Sequence, residues 1–99
     1  VIDLITVDPK PLGRFTPTPM PPDVAEHVAA VAVFGNPLRD IRGGGPLPEL
    51  SGVYGPKTID LCGLDDPFCS SGLNFAAHFS YVKNGMVDQA TSFVADRVR

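Results

Sequence analysis

Residues 62–69 of this 99-residue chain read Cys-Gly-Leu-Asp-Asp-Pro-Phe-Cys, and His78 follows nine positions after the second cysteine. The two cysteines, which are the only ones in the sequence, bracket a short acidic loop. A carboxylate in such a loop, with a histidine further along the chain, matches the acid and the base of a catalytic triad, in that order. The sequence therefore predicts Asp65 or Asp66 as the acid and His78 as the base.

The two cysteines are open to three interpretations. A single disulfide in an oxidising compartment is favoured, because Cys62 and Cys69 leave no cysteine over. Closing so small a ring stabilises a protein by only about 2–3 kcal/mol, so its main effect would be to fix the shape of the loop. The alternatives are a pair of free buried thiols and a zinc site completed by His78 and His27. Zinc is disfavoured because the cysteine spacing is wider than the usual knuckle.

Composition predicts a single small globular domain with 43% hydrophobic residues and a net charge of −3. Nucleic acid is excluded as a partner because phosphate binding needs clustered Lys and Arg, and the eight basic residues are scattered. No apolar run approaches the roughly 20 residues that a membrane-spanning helix needs. Since the chain begins at Val1 without a signal-peptide pattern, we expect it to be a processed product or part of a longer polypeptide.

The regular elements predict a small parallel sheet and a closing helix. Six prolines within residues 8–22 predict an extended connector. The unbroken apolar run Val28–Phe34 predicts a strand buried on both faces, as in a parallel sheet, and Thr58–Cys62 predicts a second strand. Met86–Val98 carries apolar residues at helical spacing and predicts a helix. Two strands and one helix leave a parallel sheet partly uncovered, so the sequence predicts part of a larger fold.

The segments between these elements give weaker signals. Val1–Val7 is apolar and fits either a strand or the end of a helix. Asp23 is a candidate N-cap for one helical turn over Val24–His27. Leu38–Pro56 is rich in glycine and proline and predicts a loop.

Several stretches of the chain carry a family resemblance. The sequence reads KTIDLC at 57–62, DDPFC at 65–69 and NFAAHFSYV at 74–82. These stretches resemble the C-terminal half of a cutinase, most of all the cutinase-like proteins of mycobacteria. The segments 28–37, 84–90 and 93–95 are similar to a strand and the closing helix of the same family, and 1–5 resembles the helix after its nucleophile. The resemblance covers nearly the whole chain.

The resemblance implies an α/β-hydrolase fold, a three-layer sandwich around a central parallel sheet, with residues 1–99 as the C-terminal portion of one domain. It also implies a secreted serine esterase that hydrolyses acyl lipid or polyester esters without a metal or an organic cofactor. Asp66 takes the position of the family's acid, with Asp65 as the fallback, and His78 that of its base. The aromatic candidates to line the acyl cleft, for which core packing is an equal alternative, are Phe75, Phe79 and Tyr81.

The chain lacks the family's nucleophile motif. In the family the serine lies in Gly-Tyr-Ser-Gln-Gly, and no Gly-x-Ser-x-Gly occurs here. We therefore expect an N-terminal half of the same domain to supply the serine, and we expect the isolated chain to be inactive. Two other functions stay open. One is a processed, non-catalytic fragment that acts as a binding or antigenic surface, and the other is an intracellular metal or scaffold module built on Cys62, Cys69 and His78.

Overall fold

The computed structural model describes residues 2–8, 16–40 and 44–98. Within these ranges short helices surround a two-stranded parallel sheet. The helices and strands are α1 Ile2–Thr6, α2 Pro22–Ala25, β1 Val31–Phe34, α3 Leu47–Leu50, β2 Thr58–Leu61 and α4 Met86–Arg97. Three 3₁₀ helices span Pro37–Asp40, Gly55–Lys57 and Phe75–Phe79. These elements make an α/β unit, and the segment that the sequence left open between strand and helix is a helix over Ile2–Thr6.

The sheet confirms the predicted parallel pairing. Val31 of β1 lies opposite Thr58 of β2, and Phe34 lies opposite Leu61. Both strands therefore end at the same edge of the sheet, which is where functional groups collect in open α/β sheets. Burial along β1 alternates between buried and half-buried residues. The prediction that both faces of this strand are fully buried thus does not hold for the residues that the structure describes.

β1 begins three residues later than the sequence predicts. Lys57 Nζ donates hydrogen bonds to the carbonyls of Ala25, at 2.8 Å, and Val28, at 3.0 Å. The Val28 N–H in turn bonds the Ala25 carbonyl, so this segment extends the end of α2 instead of joining the sheet. A long-range contact from a lysine next to β2 cannot be read from the local apolar pattern.

The predicted N-cap Asp23 is wrong. α2 begins at Pro22, its N-cap residue is Pro21, and no side chain caps it. Proline suits the first helical position because its missing N–H would have no helical partner there. Asp23 lies inside the first turn, where its negative charge complements the helix dipole.

The predicted loop 38–56 is more regular than its composition indicates, because it is pinned to β2. Asp60 accepts a hydrogen bond from Leu47 N–H at 2.8 Å and pairs with Arg39 Nη1 at 3.4 Å. Leu47 is fully buried at the start of α3. It belongs to a core cluster formed by Val7, Ala25, Val31, Val33, Leu38, Leu47 and Tyr54. Of the proline-rich connector, residues 16–21 have no regular structure and residues 9–15 lie outside the described ranges.

α4 matches its prediction except at its last residue. It ends at Arg97, and Val98 follows it with 64% of its surface exposed. Ala90 is the buried residue of the helix. An apolar groove runs between β1 and α4, lined by Phe34, Val87, Ala90, Thr91, Val94 and Ala95. Among the described helices, none has the length and apolarity to cross a bilayer.

Candidate active site

The acidic loop that follows β2 is closed by the predicted disulfide. Cys62 and Cys69 are bonded, with their Cα atoms 5.9 Å apart. Inside the ring, the Asp66 N–H bonds the Gly63 carbonyl at 3.0 Å. Ser70 Oγ donates to the Asp66 carbonyl at 2.6 Å just beyond the ring. The backbone of Asp66 is therefore held from both sides at the carboxyl edge of the sheet.

The Asp66 carboxylate is fully buried and accepts three hydrogen bonds. Its Oδ1 accepts from the Phe68 N–H at 2.9 Å. Its Oδ2 accepts from the Tyr81 hydroxyl at 2.5 Å and lies 2.9 Å from Nδ1 of His78. A buried carboxylate without such partners would carry a large desolvation cost. Here all three hydrogen bonds stabilise the ionised form of the carboxylate.

These contacts decide the charge of Asp66. Burial by itself would raise the pKa of this carboxyl group. The hydrogen bonds from Tyr81, Phe68 and His78, together with the attraction of a protonated His78, outweigh burial and lower the pKa below the ordinary 3.8. Asp66 is therefore ionised at neutral pH although it is inaccessible to water.

His78 lies on the 3₁₀ helix Phe75–Phe79 with 29% of its side chain exposed. Among the described residues, its ring makes a hydrogen bond through Nδ1 alone, to Asp66. That bond places the proton on Nδ1 and leaves Nε2 as a free acceptor, the tautomer that a general base needs. The ring of Phe68 packs on the imidazole with 4.3 Å between centroids.

Gly35 is part of the site, and the sequence gives it no role beyond ending β1. It has a φ of +60°, and a Cβ built there would lie 2.6 Å from Cε1 and Nδ1 of His78. The same Cβ would lie 2.9 Å from Oδ2 of Asp66. Only glycine lets the end of β1 approach the acid–base pair this closely.

The three aromatic residues proposed for the cleft separate into two environments. Phe75 and Phe79 are both exposed, and the rings of His78 and Phe79 lie 5.4 Å apart. Tyr81 instead is buried, with its ring 5.5 Å from that of Phe34. Its hydroxyl contacts Asp66, so Tyr81 packs around the buried carboxylate and does not contribute exposed apolar surface as Phe75 and Phe79 do. The exposed ring of Phe68, which sequence reasoning passed over, lies 6.1 Å from that of Phe75.

The fallback acid, Asp65, and the second histidine of the sequence, His27, are both exposed. Asp65 is exposed, with its backbone at a φ of 64°, whereas Asp66 is buried. His27 is exposed after α2. Asp66 and His78 are the candidate acid and base that the structure brings into hydrogen-bond contact.

Of the three interpretations of the two cysteines, the structure confirms the disulfide. Both sulfur atoms are bonded to each other, so neither is available as a thiolate ligand for zinc or as a free thiol. Across residues 2–8, 16–40 and 44–98, no group of three His, Cys, Asp or Glu side chains is placed to hold a metal ion. A metal module built on Cys62, Cys69 and His78 is therefore contradicted.

Several serine hydroxyls of the chain are engaged with the backbone. Ser51 Oγ accepts from the Tyr54 N–H, whereas the hydroxyls of Ser70 and Ser80 donate to carbonyl oxygens. An activated serine needs its hydroxyl directed at the base instead. The arrangement within the described part of this chain is an ionised Asp66 hydrogen-bonded to a partly exposed His78.

Comparison with known proteins identifies a single family. A family model described as cutinase matches residues 2–98. The carboxylesterase Culp1 of Mycobacterium tuberculosis is 52% identical over 83 residues, which are 80% of this chain and 38% of that protein. The phospholipase Culp4 of the same organism is 47% identical over 98 residues, or 99% of this chain and 42% of the relative. The chain spans less than half the length of these curated relatives. No solved structure matches the chain significantly.

Proposed function

Because this chain belongs to the cutinase family, we propose that it is the acid–base portion of a serine esterase that hydrolyses carboxylic esters. The single observation that carries this proposal is the hydrogen bond between Nδ1 of His78 and the buried, ionised Asp66. The relatives named carboxylesterase and phospholipase support ester hydrolysis as the reaction class. Membership of the cutinase family implies an α/β-hydrolase fold. We propose that the complete domain is a three-layer sandwich around a central parallel sheet.

In this mechanism His78 acts through Nε2. A serine hydroxyl attacks the ester carbonyl while Nε2 takes its proton, and Asp66 stabilises the imidazolium that forms. The alcohol leaves with that proton and an acyl-enzyme remains. Water then attacks the acyl group with His78 again as the base, which releases the carboxylic acid and restores the serine.

We assign the serine to an N-terminal segment of the same domain. No Gly-x-Ser-x-Gly occurs within residues 1–99, and the relatives are more than twice as long as the matched region. Residues 1–99 alone are therefore proposed to lack ester turnover. The location that we propose is extracellular or at the cell envelope, which the disulfide supports because such bonds persist in oxidising compartments.

The substrates that we propose are acyl lipid or polyester esters. Phe68 and Phe79 contact the His78 ring, Phe75 contacts Phe68, and these three exposed rings offer apolar surface to an acyl chain. No metal or organic cofactor is needed for this chemistry.

The test is a pre-steady-state assay of the natural gene product that carries residues 1–99, with p-nitrophenyl butyrate as the probe. Because p-nitrophenolate is a good leaving group, acylation should be faster than deacylation, and the expected result is a burst of p-nitrophenol equal to the enzyme concentration, followed by slower turnover. Absence of any ester hydrolysis would contradict the esterase and favour the non-catalytic binding fragment.

Gly35→Ala is expected to reduce kcat/KM for this ester by at least about 100-fold, because its Cβ would displace the His78 ring and misplaced catalytic groups lose rate at about this scale. The matched control is Gly85→Ala, since Gly85 has a φ of +84° but an added Cβ there would meet no atom within 4 Å. Both variants bear the strain of a positive φ, about 1–2 kcal/mol. Kinetics and thermal unfolding of both variants separate that strain from the clash, and equal activities of the two would refute the clash.

A further inference from the structure

The side chains of His78 and Tyr81 both contact the Asp66 carboxylate, and the chemistry proposed above gives no role to Tyr81. Its ring is buried and its hydroxyl reaches Oδ2 of Asp66, the same oxygen that His78 contacts. A phenol at this distance from a carboxylate is a charge-assisted donor, which is a stronger contact than a neutral hydrogen bond.

The backbone of the disulfide loop fixes the direction of that donation. The Gly63 N–H donates to the Tyr81 oxygen at 2.9 Å, so the phenol already accepts a hydrogen bond from the loop. Its own hydrogen is then the one that points at Asp66. Gly63 directly follows Cys62, and the Tyr81 oxygen lies 3.7 Å from the sulfur of Cys69. The hydroxyl is thus seated against both ends of the disulfide ring.

Two donors other than His78 orient the carboxylate. The Phe68 N–H bonds Oδ1 and the Tyr81 hydroxyl bonds Oδ2, so together they define the plane of the Asp66 carboxylate. If the Tyr81 hydroxyl were absent, Oδ2 would keep a single donor, and that donor is the ring that moves protons during turnover. Removing one partner of a buried charged group exposes its full desolvation cost.

We propose that Tyr81 is a positioning residue for the Asp66–His78 pair, its hydroxyl being aimed by Gly63 N–H so that Oδ2 of Asp66 is held in place to receive Nδ1 of His78. This inference rests on the proposed esterase function and extends it. Tyr81 touches neither the substrate nor the reacting atoms, and it acts through the acid.

The charges around the pair agree with this role. Burial and donation to Asp66 raise the pKa of Tyr81 above the ordinary 10.0, although the Gly63 N–H and the Arg39 charge act in the opposite direction. On Asp66, burial raises the pKa, but the Tyr81 hydroxyl is the leading contact that lowers it. The titratable and charged groups that act on the contact are Asp66, His78, Tyr81 and Arg39.

The first test compares Tyr81→Phe with Tyr54→Phe in the esterase assay. Tyr54 is the other tyrosine of the chain; it is also buried, and its hydroxyl has no hydrogen-bond partner among the described residues. Tyr81→Phe is expected to lower kcat about tenfold while KM for p-nitrophenyl butyrate stays unchanged, because one charge-assisted bond to the acid is lost. Tyr54→Phe is expected to leave both constants unchanged. Unaltered kcat in Tyr81→Phe would overturn the proposal.

The second test measures urea unfolding of the same variants from pH 7 down to pH 2. Because the folded pKa of Asp66 is lowered, its contacts stabilise the fold above about pH 4, and this stability is lost as the pH falls through the lowered pKa. The stability difference between wild type and Tyr81→Phe should therefore be largest at neutral pH and shrink in acid. A role in packing alone predicts a difference that does not change with pH, and that result would overturn the proposal.

A third measurement covers the case in which Tyr81→Phe does not fold. In tyrosine-labelled wild-type protein, the ring-carbon NMR signal of Tyr81, identified by its through-space contact with the ring of Phe34, should report ionisation above pH 10.0, and ionisation at or below that value would overturn the proposal. An inactive wild-type protein contradicts the esterase, whereas an active wild type with unchanged kcat in Tyr81→Phe contradicts only the role of Tyr81.

Discussion

Replacing His78 by Ala is expected to lower kcat for ester hydrolysis by about 10⁵- to 10⁶-fold, the loss seen when a triad base is removed. The physical reason is that, among the described residues in contact with the Asp66 carboxylate, His78 alone can take the serine proton, because Tyr81 donates its hydrogen to the acid and Phe68 contacts it through the backbone. The variant should still fold, since Asp66 keeps those two donors. Its rate can be measured with p-nitrophenyl butyrate at enzyme concentrations that reveal the residual activity.

His27→Ala is the matched control for that experiment. His27 is the only other histidine of the chain and is exposed after α2, so its loss should leave kcat and KM unchanged. If His78→Ala retained more than about a tenth of wild-type kcat, the assignment of His78 as the base would be wrong.

Asp66→Asn is expected to lower kcat by about 10⁴-fold, as in other triads whose aspartate becomes asparagine. An amide nitrogen at the Oδ2 position would donate to Nδ1 of His78 and force the proton onto Nε2, where it blocks the base. The flipped amide would instead point its nitrogen at the Phe68 N–H, so either orientation loses a hydrogen bond. KM should change little, because substrate contacts are not altered.

Asp65→Asn serves as the control for the acid. Asp65 is the neighbouring aspartate, exposed and with a positive φ that asparagine also tolerates. Kinetics of both variants decide between the two acids that the sequence offered. Loss of activity in Asp65→Asn with a normal Asp66→Asn would reverse the assignment.

The candidate acid and base could be predicted from the sequence, but the residues that contact and orient them could not. The bracketed acidic loop and the later histidine indicated the disulfide and the acid–base pair, because both depend on residues close together along the chain. The contributions of Gly35 and Tyr81 could not be predicted, since Gly35 directly follows β1 and Tyr81 lies two residues beyond the 3₁₀ helix Phe75–Phe79. A glycine that ends a strand and a tyrosine in an apolar segment look the same whether or not they touch a carboxylate.

The fold shows the same limit. The parallel pairing of β1 and β2 could be predicted from their apolar sequences. The start of β1 depends instead on Lys57, whose Nζ donates a hydrogen bond to the Val28 carbonyl. The short helices within residues 38–56 depend on Asp60, whose carboxylate holds Leu47 N–H. Each of these is a long-range polar contact, and local propensity carries no signal for it.

The measurement that most directly tests whether Asp66 and His78 activate a serine is the rate of covalent labelling by a fluorophosphonate probe, with the labelled residue located by peptide mass spectrometry. The natural gene product should be labelled at one serine in a Gly-x-Ser-x-Gly segment. The labelling rate should fall by orders of magnitude in His78→Ala and Asp66→Asn and stay at the wild-type level in His27→Ala and Asp65→Asn. Equal labelling rates in all five proteins, or no labelled serine in the wild type, would contradict the acid–base role of this pair.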